Sequence, residues 1–87
     1  MYLTYNFIID MLMNRDPEND NKKCVLGSDK RSFKLQGEMA KETECLEECL
    51  KEPTCIAMSA VWGMWCIGCK MMLRSSHDGA KAFRKGK

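Results

Sequence analysis

Six cysteines in a chain of 87 residues set what chemistry is open to it. Cys45 and Cys49 are spaced four apart in TECLEECLKEPTC, Cys55 follows across Pro53, Cys66 and Cys69 form a C-x-x-C pair, and Cys24 stands alone near the start. Thiols in such numbers serve as structural disulfides, as thiolate ligands of a metal, or as an exchanging pair that cycles between dithiol and disulfide. The lone histidine, His77 in SSHDG, is the other group able to move a proton near neutral pH, but no motif places a nucleophile beside it. It reads as a turn residue, and no catalytic residue is assigned.

Each of the two reactive readings has a definite residue set. Zinc would take Cys45, Cys49, Cys66 and Cys69, with His77 in reserve, since thiolates bind it tetrahedrally. Structural zinc sites usually present their pairs from tight turns, whereas Cys45 and Cys49 fall within a helix. No metal or cofactor is therefore expected, and zinc is kept as a second alternative. Trp65-Cys66-Ile67-Gly68-Cys69-Lys70-Met71 looks like the thioredoxin redox motif. That resemblance implies Cys66 as attacking thiol, Cys69 as resolving thiol and Lys70 as a nearby positive charge. The chain departs from the pattern with Ile67-Gly68 in place of the common Gly-Pro. It also leaves too little sequence after Cys69 for the strands and helix of that fold.

The elements that must position the cysteines are legible in part. On a helix, positions i and i+4 share a face, so Cys45 and Cys49 point together beside Leu46 and Leu50, with Glu44, Glu47, Glu48 and Glu52 toward solvent. Thr43 as N-cap, glutamates in the first turn and Pro53 as a stop predict a helix from about Thr43 to Glu52. Cys55 to Trp62 is apolar on both alternating faces, as a covered central strand would be. Gly63 allows a reversal into an extended Met64 to Met71, and Ala80 to Arg84 is a closing strand after a turn at Ser75 to Gly79. Cys24 to Leu26 and Ser32 to Leu35 are short strands joined by a hairpin-like Gly27-Ser28-Asp29 connection. In an extended segment residues three apart face opposite sides, so Cys66 and Cys69 cannot both reach the helix. One self-consistent set is Cys45 with Cys66, Cys49 with Cys55, and Cys24 with Cys69; exchanging Cys66 and Cys69 is the alternative.

A chain this short buries a small core, and covalent staples compensate for it. An even number of cysteines then points to an oxidising compartment, extracellular or luminal. Met1 to Met13 lacks a basic leading segment and a small-residue cleavage pattern, so no cleavable signal peptide is expected, and it is too short to span a bilayer. Its apolar residues, Tyr5, Ile8, Ile9 and Leu12 among them, recur at helical spacing and form a candidate interface to a larger assembly. Asp16 to Lys23 reads as a linker, which divides the chain into an arm and linker over 1–21 and a domain over 22–87. A formal net charge of +2 carries no general attraction to nucleic acid. The charge is uneven: Lys22, Lys23, Lys30, Arg31 and Lys34, and the cations of residues 70–87, contrast with the acidic helix. Trp62 and Trp65 with Met58, Met64, Met71 and Met72 read as core filling rather than as a ligand surface.

The spacing of Cys45, Cys49 and Cys55, followed by Ile56, Ala57 and Ser59 and then Cys66, resembles the PAN/apple module, as does the closing stretch Gly79-Ala80-Lys81-Ala82-Phe83-Arg84. The resemblance spans Cys24 to Arg84. In that family two nested disulfides tie a helix to a central antiparallel sheet, and the match falls on Cys45, Cys49, Cys55 and Cys66. This chain places its last cysteine at 69 rather than near the end. The resemblance implies a secreted, non-catalytic module that binds protein or carbohydrate. The expected fold is α+β: a twisted antiparallel sheet with one helix across it, stapled by disulfides and preceded by an apolar arm.

Overall fold

The computed structural model describes residues 12–24 and 28–86. Over these the strands are β1 (Met13–Arg15), β2 (Lys22–Lys23), β3 (Arg31–Gln36), β4 (Ala57–Val61), β5 (Trp65–Cys69), β6 (Ser75–Ser76) and β7 (Lys81–Lys85), with one helix, α1 (Glu42–Lys51), between β3 and β4. Five strands form an antiparallel sheet in the order β1-β7-β4-β5-β3, and β2 pairs with β6 in a separate ribbon. The chain is a disulfide-stapled α+β domain.

β4 is the middle strand, and its sequence explains why. Ala57, Met58, Ser59 and Ala60 are all buried, so both faces of this strand are covered. Met58 and Ala60 meet Cys45, Leu46 and Cys49 of α1 together with Cys66 and Phe83. Ala57 packs on the opposite face against Cys24, Cys69, Leu73 and Ala82. Ser59, directly across from Ala82, is the buried polar exception, its hydroxyl without a hydrogen-bond partner among the described residues. Gly63 takes a φ of 82° in the turn that folds β5 back on β4, a backbone region that costs glycine little. Gly68 answers a different need. A Cβ there would run into the Phe33 ring and stand 2.9 Å from Cys55 Sγ, so the bare backbone lets β3 and the Cys55 turn close over β5.

Helix α1 starts one residue earlier than the sequence predicts. The N-cap is Lys41, extended and without a side-chain cap, and Thr43 lies inside the first turn. Its end follows the proline rule: the backbone leaves helical geometry at Glu52, ahead of Pro53. Of the expected strand Cys24 to Leu26 and its hairpin-like connection, residues 25–27 lie outside the described residues. β2 pairs with β6 at Lys22↔Ser76 and Lys23↔Ser75, whereas β3 pairs with β5. The expected Ser75–Gly79 turn accordingly contributes a short strand before it reverses at Asp78 and Gly79.

Met13 to Asn21, which the sequence assigns to the arm and linker, is joined to the sheet. Met13–Arg15 is an edge strand in register with Lys85, Arg84 and Phe83, and Met13 is buried in the core under α1. Asp16 to Asn21 is fastened rather than linking. Asp16 N–H donates to Ala82 O, Asn21 N–H to Ala80 O, and Asn21 Oδ1 accepts Gly79 N–H at 2.8 Å. Asn21 holds a φ of 65° to do so, which asparagine tolerates better than most residues. Of the candidate interface, Tyr5, Ile8 and Ile9 lie outside the described residues.

Candidate binding surface

Cys45 is bonded to Cys66, Cys49 to Cys55 and Cys24 to Cys69, with Cα–Cα separations of 6.3, 5.3 and 5.7 Å. No described cysteine is free. Cys66 belongs to the cluster beneath α1 and Cys69 to the cluster on the far face of the sheet, so strand alternation carries these neighbours apart. The C-x-x-C pair is therefore divided between two bonds. The four sulfurs of the zinc reading are spread over three bonds, and among the described residues no group of three or more metal-ligating side chains gathers.

His77 follows β6 and meets the edge of Trp65, with ring centroids 4.9 Å apart at 77°. Trp62 is half-buried, tilted over Phe83 at 5.6 Å, and Met58 is fully buried. These are core roles. Met64 and Met71 are exposed, 64% and 38%, and so is Met39, at 59%, which the sequence reading did not single out. Gly37 N–H donates to Met64 O, which brings the Met39 turn beside the β4–β5 turn at one end of the sheet.

A groove lies where β1 meets the end of β7. Asn14, Arg15, Asp16, Arg84, Lys85 and Gly86 line its volume of about 420 Å³. One wall is a preorganised ion pair. Arg15 Nη1 and Nη2 donate to the two carboxylate oxygens of Asp20 at 2.7 and 2.9 Å, and Nη1 also donates to Ala82 O at 2.9 Å. The guanidinium lies 5.5 Å from the Phe83 ring centroid, a cation–π contact. Asp20 accepts a further bond from Ala82 N–H at 2.8 Å. The Arg15 hydrogen bonds, then this backbone donor and the charges of Arg15 and Lys81, hold the Asp20 carboxyl down at about 2. Arg15 is raised in turn by the same carboxylate.

Lys85 is also committed: its Nζ donates to Glu52 O at 2.9 Å, and burial lowers its pKa against the pull of Glu52. Asp16 Oδ2 accepts from Asn19 Nδ2. Arg84 is exposed and holds no ion pair among the described residues, which makes it the groove's available cation. It sits opposite Ala57 in the register, on the sheet face away from α1, as does Lys34 opposite Ile67. Exposed acids Glu42 and Glu44 belong to α1 on the other side. The charge asymmetry of the sequence thus has a spatial counterpart. KAFRK signals a basic strand, but only the pairing of β1 with β7 brings Asn14 and Asp16 to the groove.

No protein-family model, curated protein or solved structure matches this chain. No helix among the described residues is long and apolar enough to cross a membrane. Three disulfides point to an oxidising environment.

Proposed function

We propose that this chain is a non-catalytic recognition or assembly module of PAN/apple type, working outside the cell or in a luminal compartment. The observation that carries the reading is the consumption of every cysteine in bonds that fasten both faces of one sheet. Such bonds rigidify a small frame, and rigidity lowers the entropy a surface loses on binding. The chemistry left to the surface is that of recognition: a groove with one uncommitted arginine, half-buried aromatic rings and exposed thioethers. A protein or carbohydrate carrying an anionic group suits the groove, with Arg84 as its charge partner.

Two measurements on the oxidised chain test this. Titration with a thiol reagent after mild reductant should release no thiol, and arrays of glycans and secreted-protein ectodomains should capture a ligand that Arg84→Glu loses. Reversible reduction of one pair, with turnover of a disulfide substrate, would overturn the reading in favour of exchange through Cys66 or Cys69. Capture indifferent to Arg84 would move recognition away from the groove.

A further inference from the structure

β3 closes one side of the five-stranded sheet, and among the described residues no strand pairs with its outer edge. Its register with β5 says which backbone groups face outward. Gly37 N–H donates to Met64 O, which extends the alignment Leu35↔Cys66 and Phe33↔Gly68. From Phe33 to Gly37, past the register shift that follows Arg31, odd-numbered residues therefore turn their N–H and C=O toward β5, and in an antiparallel ladder the alternate residues turn theirs away. Those residues are Lys34 and Gln36, both exposed. Ser32, at the register shift near the start of the strand, meets Thr54 through its side-chain hydroxyl at 2.8 Å and falls outside this regular alternation.

An unpaired edge is a template for a further extended chain, whose backbone supplies affinity and whose alternate side chains supply selectivity. Charge selects the chain. Arg31 and Lys34 lie on this strand and Lys30 just before it, residues 30–36 contain no acid, and Lys30 spends little of its charge on the exposed Asp29 at 3.6 Å. Self-pairing meets the opposite condition, since a two-fold ladder about Lys34 sets lysine against lysine. The geometry points to β3 as a docking edge for an extended acidic peptide, added antiparallel with a carboxylate beside Lys34. The inference rests on the recognition reading and names its partner class, on a surface separate from the Arg84 groove.

The probe is an end-blocked hexapeptide alternating Glu and Val, titrated into the oxidised full chain and followed by amide NMR. Saturable shifts should centre on Lys34 and Gln36, and hydrogen exchange at those two amides should slow by about tenfold or more as they gain partners. Methylating the peptide nitrogens that face the edge should weaken binding roughly tenfold, whereas methylating the intervening nitrogens should not, because only one set donates to the ladder. Lys34→Glu should weaken binding to a similar degree and Lys34→Arg should retain it, with both variants folded, the side chain being exposed. Three results overturn the proposal: absence of binding at millimolar peptide, indifference to both methylation patterns, or shifts that map to Arg84. Concentration-dependent protection of Lys34 and Gln36 without peptide overturns it too, since a second copy would then hold the edge. The recognition reading fails separately, on the thiol and array measurements.

Discussion

Asp20 shows how one carboxylate ties a sequence-distant segment to the sheet. It receives both arms of Arg15 and the N–H of Ala82, so the turn after β1 is held against β7 by charge-assisted bonds. Those bonds favour the ionised form and set its folded pKa at about 2, below the ordinary value of 3.8. The sign follows from linkage. A depressed carboxyl contributes stability that is fully present above its unfolded value and is lost as pH falls toward its folded value. Asp20→Asn keeps an oxygen for the Ala82 N–H but loses the charge. The variant should therefore be less stable than the parent at neutral pH, by roughly 0.5–1 kcal/mol for a pair left partly exposed. Thermal unfolding from pH 7 downward checks this: the gap should hold to about pH 4 and close between there and about pH 2.

At the scale of elements, α1 is bounded well at one end and loosely at the other. Lys41 accepts the Cys45 N–H at its carbonyl but offers the first turn no side-chain acceptor, and its positive charge sits at the positive end of the helix dipole. Lys41→Ser should raise stability by about 0.5–1 kcal/mol, read as a higher denaturant midpoint at unchanged slope. The same helix marks what the sequence makes legible. Cys45, Leu46 and Cys49 face inward because their spacing matches the helical period, β4 is central because its residues are apolar on both faces, and β5 divides Cys66 from Cys69 because strands alternate. These are local rules acting over short stretches. Partners chosen at long range are not legible in the same way. Lys22 and Lys23 find Ser75 and Ser76 across the chain rather than the nearby Arg31–Gln36, and Met13–Arg15 finds Phe83–Lys85, although DPENDNKK carries every compositional mark of a linker. The groove at Arg84 depends on that second pairing, which is why its residues escape a reading by motif.

The whole molecule is organised by the nesting of its three bonds. Cys49–Cys55 closes a span of 6 residues inside the 21 of Cys45–Cys66, which lies inside the 45 of Cys24–Cys69. The two inner bonds fix α1 and its exit turn to the sheet, and the outer bond fixes the opposite face, where Cys24, Ala57, Cys69, Leu73 and Ala82 form a smaller cluster. Chain entropy then ranks them. Each bond restrains the unfolded chain in proportion to the logarithm of the loop it closes, and an inner bond shortens the loop seen by the one outside it. Replacing each pair by alanines should cost about 2 kcal/mol for Cys49–Cys55, about 3 for Cys45–Cys66 and about 3.5 for Cys24–Cys69. Packing works against that ranking, because Cys45 and Cys66 are fully buried in the larger cluster, whereas Cys24 retains 5% exposure in the smaller one. Loss of Cys45–Cys66 should therefore add a cavity cost to its entropic one and bring it level with, or past, the outer bond. Denaturant unfolding of the three double variants under oxidising conditions checks the order. A Cys24–Cys69 deletion that left stability unchanged would show that the second face is held without its staple.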